Sequence, residues 1–555
     1  MEEKESVVQK NGGKLFNFRP VFFAALYLIF GVVFCFYCRF HGVSFAWLAC
    51  LPILAAIPVF LSVSTAKRKK CVLALLSLCV CFFAGFFGFS IQVNRYEKTT
   101  DFGECYFTGK VVEIHESYNN VGVVLDELSI DGERQNCKLI AYLPKAFGET
   151  ITLSDELFLH GEIEKRDINA ENFTMQSKEF GKRIFLVAND AEGEKVGHAF
   201  DLFLFLNARA KTVINAGMDE IPAAVTRAVL LGDTKGIESG LYENIRRGGI
   251  AHIFAVSGLH VGSLFAFCLL LLKKTPMKGL HGGLQFLFVA FILLIYAGVC
   301  AFSPSVVRAT VICLIAYGGK RLQVKTDFLQ SLGGAAICIL IFNPSALFTV
   351  GFQLSFAACL GIAFLTKPIG QVFDECAKLY RKVVPVKLTE AEMLALQNDD
   401  TMPPRISTRI YRACSSFLAT SLGAQIFTAP LLLHYFGYVS GWALLLNCIF
   451  VPFIGVIFSL LLLSVAVACV LPVGLSTVIL YVPNVVWSAV LLLFEAVDFT
   501  SFALEGLTIT TGLSFVYLTA TLFFTDKWDM KKSLRFLLAG VCIFAFVAGM
   551  YALNT

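Results

Sequence analysis

The stretch His252–Lys274, HIFAVSGLHVGSLFAFCLLLLKK, decides how the chain is read. From Ile253 to Leu272 it is apolar and about as long as the ~20 residues that cross a bilayer. Its first half nevertheless holds Ser257, Gly258, His260, Gly262 and Ser263, which a lipid-facing helix has no reason to carry. Small and ionisable residues at membrane depth face a bundle interior, a cavity or a pathway. A close helix–helix contact with a core histidine and a wall of a transport path both satisfy that rule, and these residues alone leave both open.

Just upstream, Leu230–Gly262 is an irregular, polar, glycine-rich approach, LLGDTKGIESGLYENIRRGGIAHIFAVSGLHVG, in which the charged pair Arg246–Arg247 leads to the membrane edge. The wider composition agrees with a membrane protein. Of 555 residues, 57% are hydrophobic and 16% charged, against roughly a quarter charged in soluble domains. The net charge is +5. Most of the 18 cysteines lie in apolar runs, where they behave as small hydrophobes, so neither a metal site nor a redox motif is expected. No cleavable signal peptide is expected either, because the first apolar run is long enough to remain as a span.

Apolar runs at 21–38, 43–63 and 71–91 predict three spans in an N-terminal segment, 1–95. The basic loop Lys67–Lys70 places the N-terminus and that loop in the cytoplasm, and the chain beyond Ile91 outside. Residues 96–196 read as a small antiparallel β domain of short alternating runs, with an OB-like barrel fitting its size. From Asp101 to Lys195 there are nineteen Asp and Glu against ten Lys and Arg, which disfavours phosphate binding unless the basic residues cluster. Tyr106, Phe107, Tyr118 and Tyr142 are candidates for base stacking or core packing. An outside location makes Cys105 and Cys137 a candidate disulfide. Residues 197–251 read as amphipathic, interfacial helices.

From His252 onward, spans are predicted at 252–272, 284–300, 303–318, 328–342, 351–366, 413–433, 441–468, 474–497, 509–525 and 534–552, for about thirteen in all. A membrane core covers 252–470, with a cytoplasmic segment at 367–412, and C-terminal helices cover 471–555. Strict alternation puts Lys273-Lys274, Lys320-Arg321 and Lys531-Lys532 on the cytoplasmic side and the C-terminus outside. The spans starting at His252, Ser303 and Gly351 then all enter from outside. At ~1.5 Å per residue, His260 and Arg308 lie roughly 12 and 7 Å below their helix starts, with Gln353 shallower. An arginine at that depth either snorkels or meets an anion.

Four ordered motifs carry a resemblance over most of residues 220–455. They are Leu231-Gly232-Asp233 with His252 and Ser257-Gly258-Leu259-His260-Val261-Gly262; AGVCAFSPSVVRA at 297–309, with Pro304, Ser305 and Arg308; NPSALFTVGFQLSFAACLG at 343–361, with Gln353 and Ser355; and SLGAQIFTAPLLLHYFGYVSGWALLLNCIFVP at 421–452, with Gln425 and Asn447. This set resembles the ComEC competence-protein family. The resemblance implies a channel in the bacterial cytoplasmic membrane that takes up a single strand of transforming DNA. It also implies an OB-like domain after the third span, and these motif residues as candidates for the DNA path. The partners it implies are single-stranded DNA, membrane lipid, a surface DNA receptor, a separate nuclease and a cytoplasmic ATP-driven helicase-like motor. Many members end in a metallo-β-lactamase-like nuclease domain; its H-x-H-x-D-H run is absent here, as is a Walker A motif. The expectation is a channel with no catalytic residue, cofactor or metal of its own. Two other readings remain: a secondary transporter of a small solute, and an intramembrane hydrolase with Ser257 as nucleophile and His260 as base.

Overall fold

The computed structural model describes residues 19–40, 68–116, 120–148, 150–198, 200–234, 236–275, 279, 281–323, 327–383, 406–496, 503–505 and scattered positions between 517 and 545. The expected span at 43–63, the middle of the cytoplasmic segment and most of the last two expected spans lie outside these residues.

Helices α1 (Pro20–Phe40) and α2 (Arg68–Glu97) lead to a sheet domain of β1 (Gly103–Glu116), β2 (Asn120–Ile130), β3 (Glu133–Arg134), β4 (Lys138–Pro144), the short α3 (Lys145–Gly148), β5 (Asp155–Lys165), α4 (Phe173–Gly181) and β6 (Ile184–His198). Then come α5 (Leu202–Gly217), α6 (Glu220–Leu231), α7 (Ser239–Arg247), α8 (Gly258–Lys274), α9 (Gly282–Val299), α10 (Pro304–Arg321) and α11 (Phe328–Phe342). A 3₁₀ turn, Pro344–Phe348, precedes α12 (Val350–Val383) and α13 (Ile406–Phe436). Strand β7 (Tyr438–Ser440) precedes α14 (Ala443–Val470) and α15 (Ser476–Ala496), and β8 (Ala503–Glu505) pairs with β7.

The protein is mostly helical. Among the described residues, seven helical segments are long and apolar enough to cross a membrane: Pro20–Phe40, Leu76–Glu97, Gly282–Val299, Val350–Ala377, Ala413–Phe436, Ala443–Val470 and Val473–Leu492. Three expected spans are not in this set. Phe328–Phe342 is apolar but shorter, α8 has 17 residues and ends in Lys273-Lys274, and α10 carries Arg308 and ends in Lys320-Arg321.

The sheet domain is a single six-stranded sheet ordered β1-β5-β6-β4-β2-β3, and β1 pairs with β2 as well as with β5. The pairing of β4 with β6 is parallel. Inward-facing Phe107, Val111, Leu125, Leu139, Leu159 and Leu186 are buried in its core. Cys105 and Cys137 are buried there as free thiols, so the candidate disulfide is not formed. Burial pushes the Cys137 thiol up to about 11, where it is a weak nucleophile. One C-x-x-C spacing does occur, Cys35–Cys38, one turn apart on α1; both are free thiols, and Cys35 is buried.

The domain's core runs on into the membrane helices. Phe173 and Phe180 of α4 are fully buried among Phe36, Phe40, Phe89 and Phe348. Below them, Gln92 bonds Asn343 (3.3 Å) and the Ser345 backbone donates to Gln92 (3.3 Å). Helices α1, α2 and α11 therefore end on the side that bears the sheet domain. Their starts share the other side, where Arg19 pairs with Asp327 and the Val21 backbone donates to Gln330 (3.0 Å).

Two expectations are corrected. Residues 220–231 are not an interfacial helix: Ala223, Ala224, Val225, Ala228, Val229 and Leu230 are buried in one cluster with residues of α8, α9, α14 and α15. And α14 does not cross in the direction that strict alternation gives. Its end is held by Arg209, which donates to the carbonyls of Cys469 (3.2 Å) and Leu471 (2.9 Å). Two residues earlier, Asn207 donates to the carbonyl of Val299, the last residue of α9 (2.9 Å). So α9 and α14 end on the same side. The reason is a return after α13. Tyr435 near its end meets Gln353, whereas Asn447 donates to Ser421 (3.3 Å), fourteen residues back along α13, or about 21 Å. Gly437, at φ +76°, turns the chain, and β7 carries it back beside α13 in extended form.

This arrangement predicts same-side labelling. With native cysteines replaced, cysteines at Phe302 and Gly474 are expected to react with a membrane-impermeant maleimide from one side of the membrane; reaction from opposite sides would contradict the return.

Candidate functional site

The starts of α8, α10 and α12 meet where α13 ends. Each start is chosen locally. Ser257 is extended and caps α8, Ser303 precedes Pro304 at the first turn of α10, and the Pro344 turn sets up α12. Gly258 is the contact residue: a Cβ there would lie 2.9 Å from Arg308 Nη2 and 3.6 Å from Ala309 Cβ. The guanidinium of Arg308 packs against the first residue of α8 and over the Phe356 ring of α12 (5.9 Å).

Arg308 is only 7% exposed, and its Nη1 has no hydrogen-bond partner among the described residues. A buried guanidinium is ordinarily paired, and an unpaired charge at membrane depth costs about 2.5–3.5 kcal/mol even on insertion scales. Snorkelling, the structural alternative for Arg308, leaves the head group in water; here the head group is buried. Around it, Ser305 bonds Ser355 (3.3 Å), and Gln353 accepts from Tyr435 (2.7 Å) while donating to the Leu347 carbonyl (3.2 Å). Those bonds tie α10 to α12 and α12 to α13.

His260 is fully buried, with its ring stacked on Phe458 of α14 at 4.7 Å. Its Nδ1 accepts the Ser257 backbone N–H at 3.1 Å, which puts the ring proton on Nε2. That Nε2 has no partner among the described residues. Leaving a buried donor unmade costs about 1–3 kcal/mol. Two buried donors without acceptors thus stand near the starts of two helices, where backbone N–H groups and the helix dipoles also favour negative charge.

The other expected residues are divided. Gly262 faces open space, with nothing within 4 Å of a Cβ there. Gly232 takes a left-handed conformation (φ +79°) that ends α6, and Asp233 pairs with Lys211 (2.6 Å); both are structural in this arrangement. His252 lies in the turn between α7 and α8. Gln425 and Asn447 both bond Ser421, deeper along α13 than the Arg308 junction. Sequence reasoning missed Phe356, Tyr435 and Phe458, each aromatic and far along the chain from its partner.

In the sheet domain the basic residues do gather. Arg134, Lys138, Lys182 and Arg183 line one recess with Asp126 and Glu127. Lys138 pairs with Asp126 (2.6 Å), Arg134 with Glu127 (3.6 Å) and Lys182 with Glu113. Burial raises the Glu113 carboxyl, but hydrogen bonds from His115 and Lys182 outweigh it and hold it at about 2. Local pairing leaves this recess little net attraction for phosphate.

The family model described as "Competence protein" matches residues 229–531, more than half of the chain and all of this junction. The chain belongs to the competence protein family. It is 25% identical over 252 residues to ComE operon protein 3 of Bacillus subtilis (strain 168), covering 45% of this chain and 27% of that protein. It is 30% identical over 131 residues to the uncharacterized protein MG316 of Mycoplasma genitalium, covering 23% of this chain and 32% of the relative. The matched stretches thus span about a quarter to a third of these relatives' length. No solved structure matches. With its apolar helices, this competence protein is a multi-pass membrane protein.

Gly258→Ala tests the junction. Its methyl group must push the flexible Arg308 head aside, so we expect normal membrane abundance with impaired function in a DNA-uptake assay. Full function with Arg308 retained would show that its position against α8 is unimportant.

Proposed function

We propose that the chain is a channel through which a single strand of DNA crosses the bacterial cytoplasmic membrane in competence, with Arg308 as a phosphate contact at the outer mouth. The carrying observation is a buried guanidinium without a partner at its Nη1 among the described residues, held between three helix starts on the side that bears the sheet domain. An always-charged, planar fork suits phosphate. The ring of pairings β1-β5-β6-β4-β2-β1, with its one parallel pair, supports an OB-like reading of the sheet domain. We place that domain and the mouth outside and the N-terminus in the cytoplasm. In this reading the chain performs no chemistry on the strand. A surface DNA receptor, a separate nuclease and an ATP-driven helicase-like motor supply capture, strand removal and force.

The hydrolase alternative gains less support. Ser257 Oγ stands 3.5 Å from His260 Nδ1, but that nitrogen already accepts the Ser257 backbone N–H, and no acid among the described residues orients Nε2. A small-solute transporter accounts for the buried donors but gives no role to the sheet domain fixed above them.

Arg308→Ala is expected to cut DNA uptake roughly 10- to 100-fold at equal membrane abundance, as loss of a charge-assisted hydrogen bond worth about 1.5–3 kcal/mol implies. Arg308→Lys should keep part of it, since a point charge still meets phosphate without the fork. Normal transformation by Arg308→Ala would remove the residue from the path.

A further inference from the structure

We propose that the solvent face of β1, β5 and β6 docks a basic, arginine-bearing segment of a protein partner. This face is separate from the Arg308 junction, and its role does not rest on the channel reading. Strand alternation decides what the face shows. Cys105, Phe107, Leu157 and Leu159 point into the core and are buried, so Tyr106, Phe158 and His160 beside them point outward. Tyr106 lies opposite His160, and Thr108 opposite Phe158. The Tyr106 ring is stacked with Phe158 (5.5 Å between centroids, 14° between planes) and lies 4.4 Å from the His160 ring. Tyr106 is 54% exposed and Phe158 38%. Rings already gathered in contact at a surface lose little freedom when covered, and aromatic anchors of this kind carry much of the binding energy at interfaces.

Carboxylates surround the rings. On β6, Glu194 lies opposite Phe158 and Glu192 opposite His160. On β1 and β5, Glu104 lies opposite Glu162, and Glu156 opposite Lys110. All these glutamates are exposed. The cations of the face are few: His160 approaches Glu104 (4.0 Å), and Lys110 is drawn to Asp201 (3.9 Å). Glu156, Glu162, Glu192 and Glu194 have no ion-pair partner among the described residues. The acidic excess of the domain thus gathers here. Such a field repels the phosphates of a nucleic acid and of anionic headgroups, and draws cations. A guanidinium suits both halves of the face: its plane stacks on the rings while its N–H groups pair with the carboxylates. From Glu162 to Glu156 the strip runs about 20 Å along β5, and three strands make it about 10 Å wide. That is the footprint of an extended peptide, larger than a single small cation needs.

The purified full-length protein, in nanodiscs of phosphatidylcholine so that the lipid carries no net charge, is titrated with fluorescent octa-arginine and octa-lysine peptides. The wild type is expected to bind both saturably and to prefer arginine, because guanidinium stacks on rings and ammonium does so less. Loss of two cation–π contacts in Tyr106→Ala/Phe158→Ala is expected to weaken the arginine peptide about tenfold and to abolish the preference. Glu192→Gln/Glu194→Gln should weaken both peptides, most at low salt. Phe158→Trp, which offers the better ring for a cation, should tighten the arginine peptide severalfold, a gain that misfolding cannot imitate. No saturable binding by the wild type, equal affinity for the two peptides, or affinity unchanged in either double variant would overturn the proposal. Binding of a poly-dT oligonucleotide that is lost in Tyr106→Ala/Phe158→Ala would assign the face to nucleic acid and overturn it as well.

Discussion

The junction depends on one close approach, the guanidinium of Arg308 against Gly258. A buried cation must be neutralised, hydrated or used. Here the residue opposite it is the only type that leaves room for the head group, and the neighbouring polar residues direct their hydrogen bonds to each other. Ser305 holds Ser355 and Gln353 holds Tyr435, which fixes the helices while leaving the Arg308 Nη1 without an acceptor among the described residues. The stabilisation that offsets this buried charge comes from the neighbouring apolar cluster, in which Phe458, Tyr296 and Val261 are buried and on which His260 stacks.

The sheet domain is part of the same construction. Its core is continuous with the ends of α1, α2 and α11 through Phe173, Phe180, Phe89 and Phe348, so it is packed onto the membrane helices rather than tethered to them. Because α12 begins directly after the 3₁₀ turn that this domain contacts, the placement of Gln353 and Phe356 at the junction is set by the same aromatic contact. The sheet domain and the start of α12 are thus packed together through that turn.

Much of this was legible in the sequence. The long apolar runs, the strand-rich insert and the Pro304 helix start follow from periodicity and turn chemistry, whereas the span read from His252 becomes helical only at Gly258, which puts His260 in the first turn of α8 and not roughly 12 Å below its start. The basic-loop topology adds that His260, Arg308 and Gln353 share the outer half of the membrane. The features that stayed hidden did so for physical reasons. Hydropathy measures the length of a run and not its direction, so the reversed course of α14 was concealed in the short connection between Phe436 and Ala443, which no span-counting rule resolves. The twelve residues of α6 are too few to cross a bilayer, which points to an interfacial helix, while their Ala- and Val-rich composition is the sign of close packing. Phe458 and Phe356 look like any other apolar residue until the fold sets one against His260 and the other under Arg308. The same holds for Tyr438, whose ring lies under Arg246 and Arg247.

Whether the joined starts of α8, α10 and α12 line a path for a single strand of DNA is decided most directly at Ser305. With native cysteines replaced, a cysteine is placed there, and its modification by a small water-soluble thiol reagent is followed with and without a single-stranded oligonucleotide. A path lined by these helix starts predicts modification that slows severalfold when the oligonucleotide is bound, and loses that protection in Arg308→Ala. A rate unchanged by saturating oligonucleotide would contradict it.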